Sequence, residues 1–99
     1  MEPELQPLAR KLGDNVREAR TQAGLTLKKV ARGCEVDATF ISGIEGGRKL
    51  PSLKTIVKIA GVTGVAVEDL VKGLPKWTPA TSRPGTYEIR EPSCREVGR

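Results

Sequence analysis

Residues 26–45, TLKKVARGCEVDATFISGIE, decide the fold that the sequence predicts. Thr26 suits the N-cap of a short helix, because its hydroxyl can accept a hydrogen bond from a free backbone N–H of the first turn. After a turn of three or four residues, Asp37 is placed to cap a second short helix that ends at Glu45 before Gly46-Gly47. Two short helices joined by such a turn have the spacing of a helix-turn-helix motif.

The residues before this motif predict a longer first helix over residues 8–22. Leu8, Leu12, Val16 and Ala19 recur at steps of three and four residues, so they share one face of a helix. Gly24 follows at the position where a left-handed residue commonly ends a helix.

The residues after the motif predict two more helices. Ser52 caps a fourth helix, and Val67 opens a short fifth helix over residues 67–71, before Gly73. The expected buried stripe of the fourth helix is Leu53, Ile56, Val57, Ile59 and Ala60. We therefore expect an all-α fold, with a compact five-helix domain over residues 8–73.

Beyond residue 74 the composition changes to a proline-rich C-terminal tail, residues 74–99. Pro75, Pro79, Pro84 and Pro92 prevent a long helix there. Residues 86–90, TYEIR, alternate as a short β-strand does, but five residues cannot form a sheet alone. The tail is expected to be a linker, a partly disordered end, or an arm that pairs with another surface.

Composition and charge restrict the classes of function. Seventeen Lys and Arg against twelve Asp and Glu give a formal net charge of +5, which favours polyanionic partners. No histidine, metal-ligand cluster, nucleophile–base pair or glycine-rich phosphate loop is present, so we expect no enzyme, metal or cofactor. Without a long apolar run, a signal peptide or a disulfide framework, a cytoplasmic chain is expected, with Cys34 structural and buried.

Three segments carry a family resemblance, namely residues 12–20 (LGDNVREAR), 24–31 (GLTLKKVA) and 40–49 (FISGIEGGRK). In order and spacing they resemble the lambda-repressor/Cro-like, or XRE, family of helix-turn-helix DNA-binding proteins. Residues 51–56 (PSLKTI) continue the resemblance into the fourth helix. The resemblance implies that the third helix enters the major groove of double-stranded DNA.

The resemblance also implies roles for individual residues. A salt bridge between Arg20 and Glu45 would join the first helix to the end of the third, with Arg20 also near phosphate. Phosphate contacts are expected from the start of the second helix and from the loop after the third; these residues are Thr26, Lys28, Lys29, Arg48 and Lys49.

Four positions of the third helix are expected to face base edges, namely Ala38, Thr39, Ser42 and Gly43. None of them is Gln, Asn or Arg, so direct readout should be weak, carried by DNA shape, or supplied from outside this helix.

Three further positions depart from the family pattern. Leu27 replaces a polar residue, Ala66 replaces a Ser or Thr cap, and Glu35 stands where a turn glycine is usual. A left-handed Glu35 would be strained, unless Gly33 lets the turn shift.

Together these features predict a sequence-specific, double-stranded-DNA-binding transcriptional regulator, expected to be a repressor. It should act as a homodimer, because one short recognition helix makes few base contacts. The expected dimer surface lies late in the chain and comprises Val67, Leu70, Val71, Leu74 and Trp77. The alternative is a protein-interaction module that binds a partner such as a sigma factor, a polymerase or a toxin, with the tail as a further partner surface.

Overall fold

A computed structural model describes residues 2–77 of the 99-residue chain, so the predicted strand at residues 86–90 lies outside the described residues. The described part is all-helical, which confirms the predicted fold class. A 3₁₀ turn at Pro3–Leu5 precedes five α-helices, which are α1 (Gln6–Gln22), α2 (Leu27–Cys34), α3 (Ala38–Glu45), α4 (Leu53–Thr63) and α5 (Val67–Val71). None of these helices is long and apolar enough to cross a lipid bilayer.

Side-chain hydrogen bonds stabilise the N-termini of α2, α4 and α5. The Thr26 hydroxyl accepts a hydrogen bond from the Lys29 N–H at 3.1 Å, and the Ser52 hydroxyl accepts one from the Thr55 N–H at 3.3 Å. Asp37 occupies the N-cap of α3, but its side chain makes no capping bond. At Ala66 the missing cap is partly replaced, because the Asp69 carboxylate accepts the Ala66 N–H at 3.2 Å.

The core lies where α1 packs against α3 and α5 while α2 packs against α3 and α4. Its buried side chains are Leu12, Val16, Ala19, Val30, Ala31, Cys34, Ile41, Ile44, Ile56, Ile59, Ala60 and Leu70. Every α-helix contributes at least one of them, so removing any helix from the core would expose apolar surface.

The predicted buried stripe of α4 is wrong at two positions. Leu53 is 69% exposed and Val57 is 51% exposed, whereas Ile56, Ile59 and Ala60 are buried as expected. The apolar arc of α4 is wider than the surface that the neighbouring helices cover. Residues 53 and 57, one turn apart, therefore form an exposed apolar edge.

Leu70 corrects the predicted dimer surface, because it is fully buried in the core of its own domain. Asn15, itself buried in α1, holds the C-terminal end of α5 by donating hydrogen bonds to the carbonyls of Leu70 and Lys72 at 2.8 and 2.9 Å. Leu70 is thus an interior residue with no surface to offer a partner, whereas Trp77 is 57% exposed.

Candidate nucleic-acid interface

The turn between α2 and α3 depends on a strained residue. Glu35 adopts a left-handed backbone with φ 63° and ψ 42°, in the position where a glycine is usual, so the turn does not shift to Gly33. Its N–H donates to the Arg32 carbonyl at 3.1 Å, and the Val36 N–H donates to the Ala31 carbonyl at 2.9 Å. These bonds end α2 and set the direction in which α3 leaves the turn.

Gly33 has a different role, which concerns packing. A Cβ at this position would lie 2.8 Å from a methyl carbon of Val62. The glycine therefore allows α2 to approach α4 closely, and α4 supports the helix-turn-helix from behind.

Arg20 and Glu45 form a salt bridge between α1 and the end of α3. Arg20 Nε donates to Glu45 Oε2 at 2.6 Å and its Nη2 donates to Oε1 at 3.1 Å, so the pair is bidentate. The hydrogen bond with Glu45 raises the pKa of Arg20, although burial opposes the shift. Arg20 Nη1 also donates to the Leu25 carbonyl at 3.0 Å, which connects the approach to α2 with the same cluster.

Arg17 is a second cation at this carboxylate, and the sequence analysis missed it. Its Nε lies 3.4 Å from Glu45 Oε1, and its side chain remains 56% exposed. The sequence did indicate that Arg17 could reach Glu45, because Arg17 and Arg20 are three residues apart and share a face of α1. Glu45, with a side chain only 3% exposed, thus has two guanidinium partners, and the cluster keeps a net positive charge.

The residues expected at base edges differ in accessibility. Thr39 is exposed, Ala38 and Ser42 are half-buried, and Gly43 is buried. Gly43, which was expected among the base-edge positions, is covered by the side chain of Lys49. A Cβ at position 43 would be 3.0–3.1 Å from three carbons of the Lys49 stem.

The loop after α3 folds back onto that helix. The backbone N–H groups of Arg48 and Lys49 both donate to the Gly43 carbonyl, at 2.8 and 3.2 Å. The Arg48 guanidinium donates to the Ser42 carbonyl at 3.4 Å, and the Lys49 ammonium lies 5.7 Å from the centre of the Phe40 ring. Both cations therefore lie beside α3 and remain exposed.

The start of α2 presents three of the predicted phosphate-binding residues. Thr26, Lys28 and Lys29 are exposed, and the Thr26 hydroxyl is engaged in capping. Through Arg20, which contacts both Leu25 and Glu45, the approach to α2 is connected to the end of α3. Both predicted phosphate-binding segments, the start of α2 and the loop after α3, are thus connected to α3 by hydrogen bonds. Arg17 is a further cation at the same helix.

Comparisons with known proteins agree on one family. The sequence profile of the family described as Helix-turn-helix, HTH_3, matches residues 16–70. The HTH-type transcriptional regulator DdrOP3 of Deinococcus deserti is 38% identical over 64 residues, which are 65% of this chain and 50% of that protein. The chain therefore spans about half the length of this relative.

Two solved structures are also similar. The restriction-modification controller protein C.AhdI of Aeromonas hydrophila has 31% sequence identity and a TM-score of 0.61, covering 63% of this chain and 94% of that one. The hypothetical transcription factor NHTF from Neisseria has 34% identity and a TM-score of 0.62, covering 72% and 82%. The chain therefore belongs to the HTH_3 helix-turn-helix family.

Proposed function

We propose that this protein is a cytoplasmic transcriptional regulator that binds double-stranded DNA, with α3 in the major groove. The observation that carries the proposal is the cluster of cations at the C-terminal end of α3. Arg17 and Arg20 meet its last residue, Glu45, while Arg48 and Lys49 are hydrogen-bonded to its last turn. Positive groups beside a recognition helix can hold phosphates while the helix meets base edges.

We assign Arg48, Lys28 and Lys29 to phosphate contacts, because their side chains are exposed beside α3 or at the start of α2. The N-terminus of α2 adds the positive end of its helix dipole, which favours a phosphate near Thr26. Arg17 joins this group, since Glu45 orients its guanidinium without covering it.

The test is duplex binding followed by fluorescence anisotropy at several salt concentrations. Each phosphate neutralised adds roughly 0.9 to the log–log slope against salt. Replacing Arg48 with Ala should weaken all sequences about equally and reduce the slope by about that amount. The matched control is Lys72→Ala, which removes an exposed charge after α5. An affinity that hardly changes with salt would contradict the proposal.

We further propose that the regulator is a repressor. Occupation of a promoter by the interface described above obstructs polymerase, so repression needs no additional contact. In a reporter strain whose promoter overlaps a duplex sequence that this protein binds, expression of the reporter should fall when the protein is produced. The Arg48→Ala variant should restore much of the reporter expression, because it binds the duplex more weakly. A rise in expression would identify an activator instead.

A second candidate function, a protein-interaction module, has its own support. Leu53, Val57 and Trp77 are large apolar side chains that are 51–69% exposed. Exposed apolar residues of this size suit a protein partner. This function would be favoured if the purified chain bound no duplex even at low salt.

A further inference from the structure

The recognition helix has a gap in its outward surface at Gly43. Thr39 and Gly43 are one turn apart, so both belong to the face that includes Ser42. Thr and Ser hydroxyls accept and donate, so they discriminate poorly between bases. At position 43 the helix has no side chain of its own, and a reader there has to come from another segment.

Lys49 fills this gap. Its Cγ, Cδ and Cε lie 3.0–3.1 Å from where a Cβ of residue 43 would be, so the stem covers the position at which the side chain is missing. A side chain at position 43 would push the Lys49 stem aside, because these separations are shorter than ordinary van der Waals contacts.

The backbone of the loop holds Lys49 in this place. The N–H groups of Arg48 and Lys49 share the Gly43 carbonyl as acceptor, at 2.8 and 3.2 Å. Because the backbone N–H of Lys49 is bonded to the same residue that its stem covers, the side chain starts close to the helix.

The end of the side chain is charged and available. The Lys49 ammonium is 5.7 Å from the centre of the Phe40 ring, which attracts a cation without using its N–H donors. Within residues 2–77, no carboxylate forms a salt bridge with Lys49. Its three donors therefore remain free for acceptors outside the protein.

We propose that Lys49 is a specificity-determining residue that reads guanine in the major groove, acting in place of a side chain at Gly43. Guanine presents two adjacent acceptors there, N7 and O6, and a lysine ammonium is a suitable donor to both. Adenine presents a donor beside its N7, which a cation does not favour. This inference rests on the proposed function, and it moves Lys49 from the predicted phosphate-binding set to the base-reading set.

The test begins with selection of bound duplexes from random DNA by the full chain, which should identify a preferred guanine. For Lys49→Ala, the preference for guanine over adenine at one position should fall about tenfold, with other positions unchanged. Arg48→Ala is the matched control, and it should weaken all duplexes while keeping the preference. Replacing that guanine with 7-deazaguanine should weaken binding of the natural chain, but not of Lys49→Ala.

Gly43→Ala provides a second variant that should still fold, since alanine favours a helix more than glycine does. Its methyl group displaces the Lys49 stem, so discrimination should fall although Lys49 is still present. The inference is overturned if Lys49→Ala weakens all duplexes equally, or if selection finds no preferred guanine. Failure of the natural chain to bind any duplex at low salt would instead reject the proposed function.

Discussion

At the scale of single residues, Glu45 is a nearly fully buried carboxylate, with its side chain 3% exposed. Burying a carboxylate is costly unless cations and hydrogen bonds compensate it. Arg20, with a side chain 16% exposed, gives the bidentate bond, and Arg17 adds a contact from a more exposed position. The cluster therefore fixes the end of α3 against α1.

Removing the carboxylate should be costly. Glu45→Ala leaves the partly buried Arg20 uncompensated, and we expect it to lower the free energy of unfolding by about 3 kcal/mol. Arg17→Ala should cost less than about 1 kcal/mol, because its side chain is largely solvated. Urea unfolding followed by circular dichroism measures both.

A double-mutant cycle isolates the pair itself. Replacing Arg20 and Glu45 together with apolar residues should cost less than the sum of the single replacements. Strict additivity of the three values would show that the two side chains do not stabilise each other.

Cys34 gives a second prediction at this scale. The side chain is fully buried, and burial raises the pKa of its thiol, although nearby Lys58 opposes the shift. In a Cys94→Ser chain, a thiol reagent should therefore react with Cys34 slowly in the folded protein and rapidly in denaturant. Rapid reaction under native conditions would contradict the burial.

The same shift has a consequence for stability at high pH. The unfolded chain loses the thiol proton first, so it binds fewer protons than the folded chain above the unfolded pKa. The free energy of unfolding should accordingly fall as the pH rises through the alkaline range. Within the Cys94→Ser background, Cys34→Ala should show a smaller fall when both chains are unfolded with urea at successive pH values.

At the scale of the elements, the turn after α2 stores strain at Glu35. A left-handed residue with a Cβ costs roughly 1–2 kcal/mol, which glycine avoids. Glu35→Gly should therefore stabilise the domain by about 1 kcal/mol. The lost contact with Lys58, 3.7 Å away, matters little because the Glu35 side chain is 82% exposed.

Thermal unfolding of two variants tests this. Glu35→Ala is the control, since it also loses the carboxylate but keeps the Cβ, and it should give no comparable gain. If both variants were stabilised equally, the cause would be the removal of the charge and not the backbone conformation.

At the scale of the whole molecule, we propose that the protein forms a homodimer. Val67, Val71 and Leu74 are partly buried against the core, and Trp77 beyond them is 57% exposed. Leu70 takes no part, because it lies inside the domain. Two recognition helices on half-sites about 34–36 Å apart would double the DNA contacts and set a spacing rule.

Sedimentation velocity at micromolar concentration tests the dimer. We expect a dimer for the full chain and a monomer for a chain that ends after Gly73. Leu53→Ser with Val57→Ser is the comparison, and it should remain dimeric, because this edge belongs to α4. A full chain that is monomeric at all concentrations would contradict dimerisation off DNA.

Much of this architecture follows from interactions between residues that are close together in the chain, so the sequence by itself determined it. The capping residues Thr26 and Ser52, the left-handed glycines and the spacing of apolar residues each act within a few positions along the chain. The five helices and the helix-turn-helix could therefore be predicted. The Arg20–Glu45 pair joins residues 25 positions apart, and it was expected only from the family resemblance. The α1 boundary differed by two residues, because helix ends depend on few hydrogen bonds.

Only the tertiary structure decided which side chains from distant segments meet. Apolar periodicity could not show that Leu53 and Val57 stay outside while Leu70 goes inside, because this depends on how much of each helix its neighbours cover. Nor could it place the Lys49 stem across Gly43, since that position follows from the path of the loop back onto α3. The motif could be read from local spacing, whereas the surface it presents is set by packing between segments far apart in sequence.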